Sequence, residues 1–330
     1  MKILVTGGAG FIGSAVIRQA IENHHSIVNV DALTYASNLE NIKSVENNSL
    51  YKFENIDIRS IRDLEEVFVK HKPDKVMHLA AESHVDRSID SPVAFIETNI
   101  LGTFNLLQVS RDYLKSIENK DNFRFHHIST DEVFGSLGKE GQFSENTPYN
   151  PNSPYSASKA SSDHLVRAWG ATYDLPILIT NCSNNYGPYQ HPEKLIPKVI
   201  SNIIKREKIP VYGNGKNIRD WLYVDDHAEA LLLVLEKGEI GRSYNIGGLN
   251  EAENIQIVEK ICRIIDSRED FSTSSIDLIT YVDDRPGHDR RYAIDSSRIQ
   301  KEVGWKPKTS LDEGLVKTVD WYLSNQPWWL

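Results

Sequence analysis

The sequence predicts an α/β fold: a doubly wound parallel sheet followed by a smaller C-terminal substrate-binding domain. Three observations carry this reading. Short β-branched runs alternate with helix-like segments through the first half of the chain. A glycine-rich turn joins the first run to the first helix. After about Thr180 the alternation breaks, loops lengthen, and Pro and Gly become frequent (Pro188, Pro192, Pro197, Pro210, Gly213, Gly215).

Lys2–Thr6 reads as a buried strand, residues 13–23 as a helix and Ser26–Asp31 as a second strand. Residues 51–57 form a third strand, 60–70 a helix, 75–80 a fourth strand and 94–114 a long helix. Residues 123–129 are a fifth strand, 156–173 a second long helix and 176–180 a sixth strand. Such alternation implies a parallel sheet covered on both faces, wound by right-handed crossovers. Residues 1–180 are expected to form the first domain and 181–330 the second. A segment at about 220–248 (223–235 and 243–248) is expected to return to the first sheet, making the division discontinuous.

Composition narrows the function. The 330 residues carry 37 Lys plus Arg against 46 Asp plus Glu, a formal charge of −9. That balance excludes a generic binder of nucleic acid or anionic membrane, though not of small anions held in a local basic pocket. The longest strictly apolar run, residues 230–235, falls far short of the roughly 20 residues of a membrane helix. The N-terminus enters the glycine turn directly, so no leader is expected. Cys182 and Cys262 have no metal-ligand spacing and suggest no disulfide framework. No metal and a reducing cytoplasm are therefore expected.

Gly7-Gly8-Ala9-Gly10-Phe11-Ile12-Gly13 follows a strand and opens a helix. Gly7 permits a tight turn, Gly10 lets a pyrophosphate approach the backbone, and Gly13 lets helix and strand pack closely. The helix N-terminus then offers N–H groups and partial positive charge to phosphates. A purely structural glycine turn is the alternative, and the strand–loop–helix context selects dinucleotide binding of Rossmann type. Asp31, ending the second strand, can accept from ribose hydroxyls and would repel a 2′-phosphate. No arginine lies between Arg18 and Arg59 to hold such a phosphate, so NAD is expected over NADP. Asp57 is either an adenine contact or a cap of the following helix.

Tyr155 and Lys159 stand four residues apart and share a face if helical. A tyrosine is a poor base at its ordinary pKa of about 10. A neighbouring ammonium and a positive nicotinamide both favour the phenolate, and Lys159 can also hold the nicotinamide ribose. Two carboxylates, Asp131 and Glu132, follow Thr130 just beyond the fifth strand, at the strand ends that face the ligand crevice. A solvated acidic turn is the bland alternative. A buried adjacent pair titrates in separated steps, so one member can serve as acid while the other serves as base. That is what elimination of water from a carbon framework needs.

The glycine loop, the Tyr155–Lys159 pair and the chain length together resemble the extended short-chain dehydrogenase/reductase family. The Thr130-Asp131-Glu132 triplet and blocks 78–88, 181–188, 191–197, 217–221 and 284–291 resemble its nucleoside-diphosphate-glucose 4,6-dehydratase branch, over essentially the whole chain. The resemblance implies a Ser/Thr–Tyr–Lys set formed by Thr130, Tyr155 and Lys159. It also implies a tightly held, regenerated NAD and a nucleotide-sugar substrate, with thymine favoured over uracil or cytosine as the base. Glu132 would remove the C5 proton, acidified by a ketone at C4, while Asp131 protonates the departing 6-hydroxyl. Cofactor contacts implied are Phe11, Ile12, Leu33, Thr34, Asp57, Ile58, Leu79, Ala80, Ala81, Ser83, Thr98 and Asn185, beside Gly7, Gly10, Gly13 and Asp31. Substrate contacts implied are Ser83, Thr130, Asn184, Lys194, Leu195, Pro210, Tyr212, Asn254 and His288. Arg219 and Arg285 are best suited to a pyrophosphate, since guanidinium forks match phosphate geometry.

The long helices 94–114 and 156–173 resemble the family's dimer-forming pair, with Leu107 and Leu165 as exposed apolar candidates for a four-helix homodimer interface. Trp321, Trp328 and Trp329 read as core packing or a partner surface. A 4-epimerase using the same tyrosine is the rival enzyme, and a NAD-sensing regulator the non-enzymatic one. The Asp131–Glu132 pair speaks against the first, and the retained Tyr155 and Lys159 against the second.

Overall fold

The computed structural model describes residues 1–118 and 120–329, so Leu330, the last residue of the expected second domain, lies outside it. The strands in chain order are β1 (Lys2–Thr6), β2 (Ser26–Asp31), β3 (Tyr51–Asn55), β4 (Lys75–His78), β5 (Arg124–Thr130) and β6 (Ile177–Cys182). They continue as β7 (Asn184–Tyr186), β8 (Ile209–Tyr212), β9 (Ile218–Tyr223), β10 (Ser243–Ile246), β11 (Glu251–Glu253) and β12 (Ile279–Val282). The helices are α1 (Phe11–Glu22), α2 (Ile61–His71), α3 (Val85–Asp90), α4 (Pro92–Phe95), α5 (Thr103–Ser116) and α6 (Pro154–Tyr173). They are followed by α7 (Leu195–Ile204), α8 (Val224–Lys237), α9 (Asn254–Asp266), α10 (Ser297–Glu302), α11 (Leu311–Ser324) and α12 (Gln326–Trp329).

The main sheet runs β3-β2-β1-β4-β5-β6-β10, with all neighbours parallel. Apart from the edge strand β3, its strands are almost wholly buried because helices cover both faces. One face buries Val5, Val16, Leu231 and Leu235 against α1 and α8; the other buries Phe68, Leu106, Leu107 and Val166 against α2, α5 and α6. Each such side chain contributes about 1.5–3 kcal/mol on leaving water. The strand order reverses between β1 and β4, which opens a crevice beyond their C-terminal ends.

The chain returns to the main sheet at β10, which pairs with β6 at Ser243↔Ile179, and at α8, which packs on α1. It also extends further, since Ile299, Val303 and Trp305 join the same core. The remaining strands form a β11-β9-β7 sheet and a β12-β8 pair over a second core that includes Ile200, Ile261, Leu315 and Tyr322. The tryptophans of the C-terminal helices belong to this core: Trp321 and Trp328 pack on Tyr189, and Trp329 is buried.

Two expectations on the long helices are corrected. The segment 94–114 is not one α-helix: α4 and α5 are joined by a π-helical stretch, Ile96–Gly102. Asn99 within it is buried and bonds Glu82 and Ser158, and a side chain at Gly102 would meet Ile58 at 2.6 Å. The wider turn is the solution to those close contacts, and such bulges recur at functional sites. Leu107 is 0% exposed, because its face of α5 points to the sheet, and Leu165 packs against the same core. The exposed apolar residues on this side are Val93, Ile96 and Leu101.

Candidate active site

A cavity of about 370 Å³ opens at the C-terminal ends of β1, β2, β4 and β5, and the segment from Cys182 to Lys194 closes its other wall. The glycine loop follows β1 and the acidic pair follows β5, and parallel strands deliver their C-terminal ends to one edge. The first turn of α6 brings Tyr155 to the same edge.

At one end of the cavity the glycine loop turns under β4. Gly7 adopts φ +74°, and a side chain there would meet Ala80 Cα at 2.7 Å. A side chain at Gly13 would meet the Gly7 carbonyl oxygen at 2.2 Å. The first turn of α1 has no acidic residue and no side-chain cap, so its N–H groups face the cavity uncompensated. Asp31 is buried, accepting from the Ala9 and Leu33 amides and the Ser37 hydroxyl at 2.8–2.9 Å. A dinucleotide fits this geometry: a bare helix N-terminus for phosphate and a fixed carboxylate for ribose. Gly10, Phe11, Ile12, Thr34, Ile58, Leu79, Ala80, Ala81, Ser83 and Thr98 also line the cavity. Leu33 does not; it sits exposed in the left-handed region, φ 51°, and its amide donates to Asp31. Asp57 lines the cavity but is engaged by Arg59 at 2.7–2.9 Å. Burial would raise its carboxyl, yet the Arg59 hydrogen bonds hold it below the usual range. Ser60, not Asp57, is the cap residue of α2.

At the centre lie Thr130, Asp131, Glu132, Tyr155 and Lys159. Thr130 ends β5 and caps the single 3₁₀ turn that carries both carboxyls. Ser153 and Ser156 form a capping box with Pro154 in the first turn, so α6 starts earlier than its apolar periodicity suggests and Tyr155 is helical. Asp131 is buried; its Oδ1 takes the Thr130 hydroxyl at 3.4 Å, and its Oδ2 has no protein partner. Burial, then the Glu132 and Asp220 charges, push the Asp131 carboxyl well above its ordinary value. Glu132 is also raised by burial, but Arg285, Arg219 and Lys194 work against that.

Tyr155 departs from expectation. Burial and the Glu132 charge push its hydroxyl up, and only the Thr130 side chain offsets them. Lys159 instead donates to the Ile128 carbonyl at 2.9 Å, and burial lowers it to about 8. Among protein groups the phenolate is therefore disfavoured.

The expected substrate residues divide. Asn184 and Lys194 line the cavity, as does the expected cofactor contact Asn185, with Lys194 donating to the Ser83 carbonyl at 2.9 Å. Leu195, Pro210, Tyr212, Arg219, Asn254, Arg285 and His288 do not line it. Leu195 packs into the second core, Pro210 and Tyr212 belong to β8, and Asn254 opens α9 with its Oδ1 buried and unpartnered. The Arg219 fork is partly spent on the Ile218 and Asp289 carbonyls and stacks over Tyr292. Arg285 donates to Asp86 at 3.0 Å, Tyr212 donates to the other oxygen of Asp86, and His288 pairs with Asp284. Arg219 and Arg285 nonetheless act on the Glu132 carboxyl, so they lie within electrostatic reach of the centre.

Sequence reasoning missed a group at the mouth. The Arg87 guanidinium lies 3.8 Å over the Tyr35 ring and bonds Glu193 at 3.1 Å, and His191 packs edge-on against Tyr35. Tyr35, His191 and Glu193 all line the cavity. Arg87, His191 and Glu193 gave a sequence signal only as members of the quoted blocks at 78–88 and 191–197, and Tyr35 gave none. Among the described residues, no cluster of His, Cys, Asp and Glu could hold a metal ion, and no helix is long and apolar enough to cross a membrane.

Residues 4–318 match the family described as GDP-mannose 4,6 dehydratase. The chain is 56% identical over 345 residues to a dTDP-glucose 4,6-dehydratase of Escherichia coli, covering 100% of this chain and 95% of that one. A dTDP-glucose 4,6-dehydratase of Bacillus anthracis solved with NAD superposes with a TM-score of 0.90 at 44% identity, covering 100% and 98%. A dTDP-glucose 4,6-dehydratase of Streptomyces venezuelae solved with NAD and dTDP superposes with a TM-score of 0.93 at 41% identity, covering 100% and 99%.

Proposed function

The chain belongs to the GDP-mannose 4,6 dehydratase family, and we propose that within it the reaction is the NAD-dependent conversion of dTDP-glucose to dTDP-4-keto-6-deoxyglucose and water. The relatives at 56% identity over the whole chain carry that activity by name. The observation in this molecule that supports it best is the Asp131–Glu132 pair on one turn beside Tyr155, with unlike surroundings. A 4-epimerase needs no acid and base at C5 and C6. The product is a precursor of deoxysugar nucleotides of the rhamnose type.

The cofactor is NAD, and when bound it supplies a hydride acceptor for C4 and a hydride donor for C6, so it ends each turnover unchanged. The chain's own residues handle protons. Tyr155 takes the proton of the 4-hydroxyl while Thr130 hydrogen-bonds the same oxygen. The resulting 4-ketone acidifies C5, and Glu132 removes that proton. Asp131, kept protonated by burial and its neighbour's charge, gives its proton to the departing 6-hydroxyl, which leaves as water. C5 is then reprotonated. Tyr155 ends the cycle one proton richer and Asp131 one poorer, and exchange through solvent restores both.

Phosphates of the cofactor meet the N-terminus of α1, and Lys159 holds the nicotinamide ribose. Arg219, Arg285 and Lys194 supply the positive field for the substrate pyrophosphate, which an acidic protein must provide locally. The chain works as a homodimer in the cytoplasm. Val93, Ile96 and Leu101 are the exposed apolar residues beside α5 and α6 that a second copy would cover, and Cys182 and Cys262 are free buried thiols, which suits a reducing compartment. The test is to incubate the purified chain, without added NAD, with dTDP-, UDP- and CDP-glucose and to identify products by mass and NMR. A 4-keto product lighter by one water from dTDP-glucose is expected. Epimerised sugar, or turnover of UDP- or CDP-glucose alone, would overturn the reading.

A further inference from the structure

Tyr155, Lys159, Asp163 and Arg167 recur every four residues and so lie on one face of α6. The first two line the cavity, whereas Asp163 is 0% exposed one turn behind Lys159 and touches neither cavity nor solvent. Its Oδ2 receives the Tyr149 hydroxyl at 2.8 Å, the Ser129 hydroxyl at 2.9 Å and the Asn181 amide at 3.3 Å. Its Oδ1 stands 3.2 Å from His127 Nε2, and the same His127 nitrogen is 3.5 Å from Lys159 Nζ. On the far side, Arg167 donates to the Tyr149 oxygen at 2.9 Å. A carboxylate buried this deeply is costly unless paired and hydrogen-bonded, and the proton transfers described above do not use it.

We propose that Asp163 is a positioning residue for this reaction: one turn along α6 it supplies the buried counter-charge that keeps the Lys159 ammonium charged beside Tyr155. The inference rests on the reading of Tyr155 and Lys159 given above. The titratable groups around Lys159 are His78 on β4, His127 on β5, Cys182 at the end of β6, and Tyr155 and Asp163 on its own helix, with Tyr149 beyond Asp163 and Asp131 and Glu132 beyond Tyr155. Burial keeps His78 and His127 neutral, His127 at about 4, and pushes the Cys182 thiol up to about 12. Burial also raises Tyr155, Asp131 and Glu132. Asp163 differs. Burial opposes its charge, but the His127 bond, the Lys159 charge and the Tyr149 bond outweigh that and hold it below the usual carboxylate range. It is also the foremost group keeping Lys159 protonated against burial.

The test compares kcat and KM against pH for the wild-type holoenzyme, Asp163→Asn and Asp163→Glu with dTDP-glucose. In Asp163→Asn, Lys159 loses its proton earlier, so the alkaline limb of kcat moves down by about one pH unit or more, with KM little changed. Asp163→Glu, which keeps the charge, restores the limb. A limb unmoved in Asp163→Asn, with kcat lowered equally at every pH, would mean a merely structural role and overturns the proposal. If Asp163→Asn does not fold, Asp163→Ser is read instead. It removes the charge in a smaller side chain, so the limb moves the same way, and an unmoved limb again overturns the proposal. Wild-type enzyme that turns over no sugar nucleotide would sink the assigned reaction itself. Wild-type turnover with an unmoved variant limb sinks this inference alone.

Discussion

The Thr130 hydroxyl oxygen accepts the Glu132 backbone N–H at 3.2 Å. One short side chain thus fixes where the base carboxyl stands while bordering Tyr155. Because the fold depends little on the Glu132 carboxylate itself, Glu132→Gln should purify with NAD bound and retain its melting temperature. Its kcat for dehydration should fall by about 10²–10⁴-fold, the usual share of a general base. Near-normal turnover in this variant would remove Glu132 from the base role.

Internal hydride return makes an isotopic prediction. In D₂O the product should carry one solvent deuterium at C5, since the proton that Glu132 removes exchanges before C5 is reprotonated. Hydrogen that began on C4 should appear at C6. NMR of the product distinguishes the positions, and solvent label at C6 would contradict the scheme.

Gly13 packs α1 against the loop so closely that a methyl group would stand 2.2 Å from the Gly7 carbonyl oxygen. Gly13→Ala must displace either the helix or the loop, at a cost of about 1–3 kcal/mol as for other overpacked sites. The shift moves the N–H groups meant for phosphate. The variant should melt lower and purify with less NAD, measured by release on denaturation. Full cofactor content with an unchanged melt would show that the close approach is dispensable.

Local signals made the fold and the site's centre legible. Alternating β-branched runs, a glycine turn between strand and helix, and the four-residue spacing of Tyr155 and Lys159 each report a neighbourhood within a few residues. What escaped depends on contacts between distant segments. Arg87 meets Tyr35 and Glu193 only because α3 and the segment before α7 converge on the cavity mouth. The π-helical break at Ile96–Gly102 follows from Asn99 bonding Glu82 and Ser158 and from Ile58 pressing on Gly102, which helical periodicity does not encode. Leu107 looked available to a partner because an amphipathic stripe does not say which neighbour it faces. Asp163 carried no signal in the sequence, because the groups that surround it come from β5, β6 and Tyr149.

Four buried histidines set the acid stability. His78, His126, His127 and His227 are at most 1% exposed, and burial lowers all of them, His126 and His227 to about 3 and His127 to about 4. In the unfolded chain each titrates near 6.5, so below that pH the unfolded state binds protons that the native state refuses. Stability is therefore fully present above about 6.5 and falls as pH drops toward 4, by about 1.4 kcal/mol per pH unit for each group. Glu82, Asp131, Glu132, Asp220 and Asp225 act with the opposite sign. Their raised carboxyls keep protons in the native state that the unfolded chain releases above its ordinary carboxyl pKa, so they subtract from the slope. Urea titrations between pH 7 and 4.5 measure what the imidazoles add when wild type and variant are compared. His126 bonds only Thr180 and lies away from the cavity, so His126→Gln should make that slope shallower by about one proton. A slope unchanged in the variant would mean that the His126 imidazole is already charged in the folded protein.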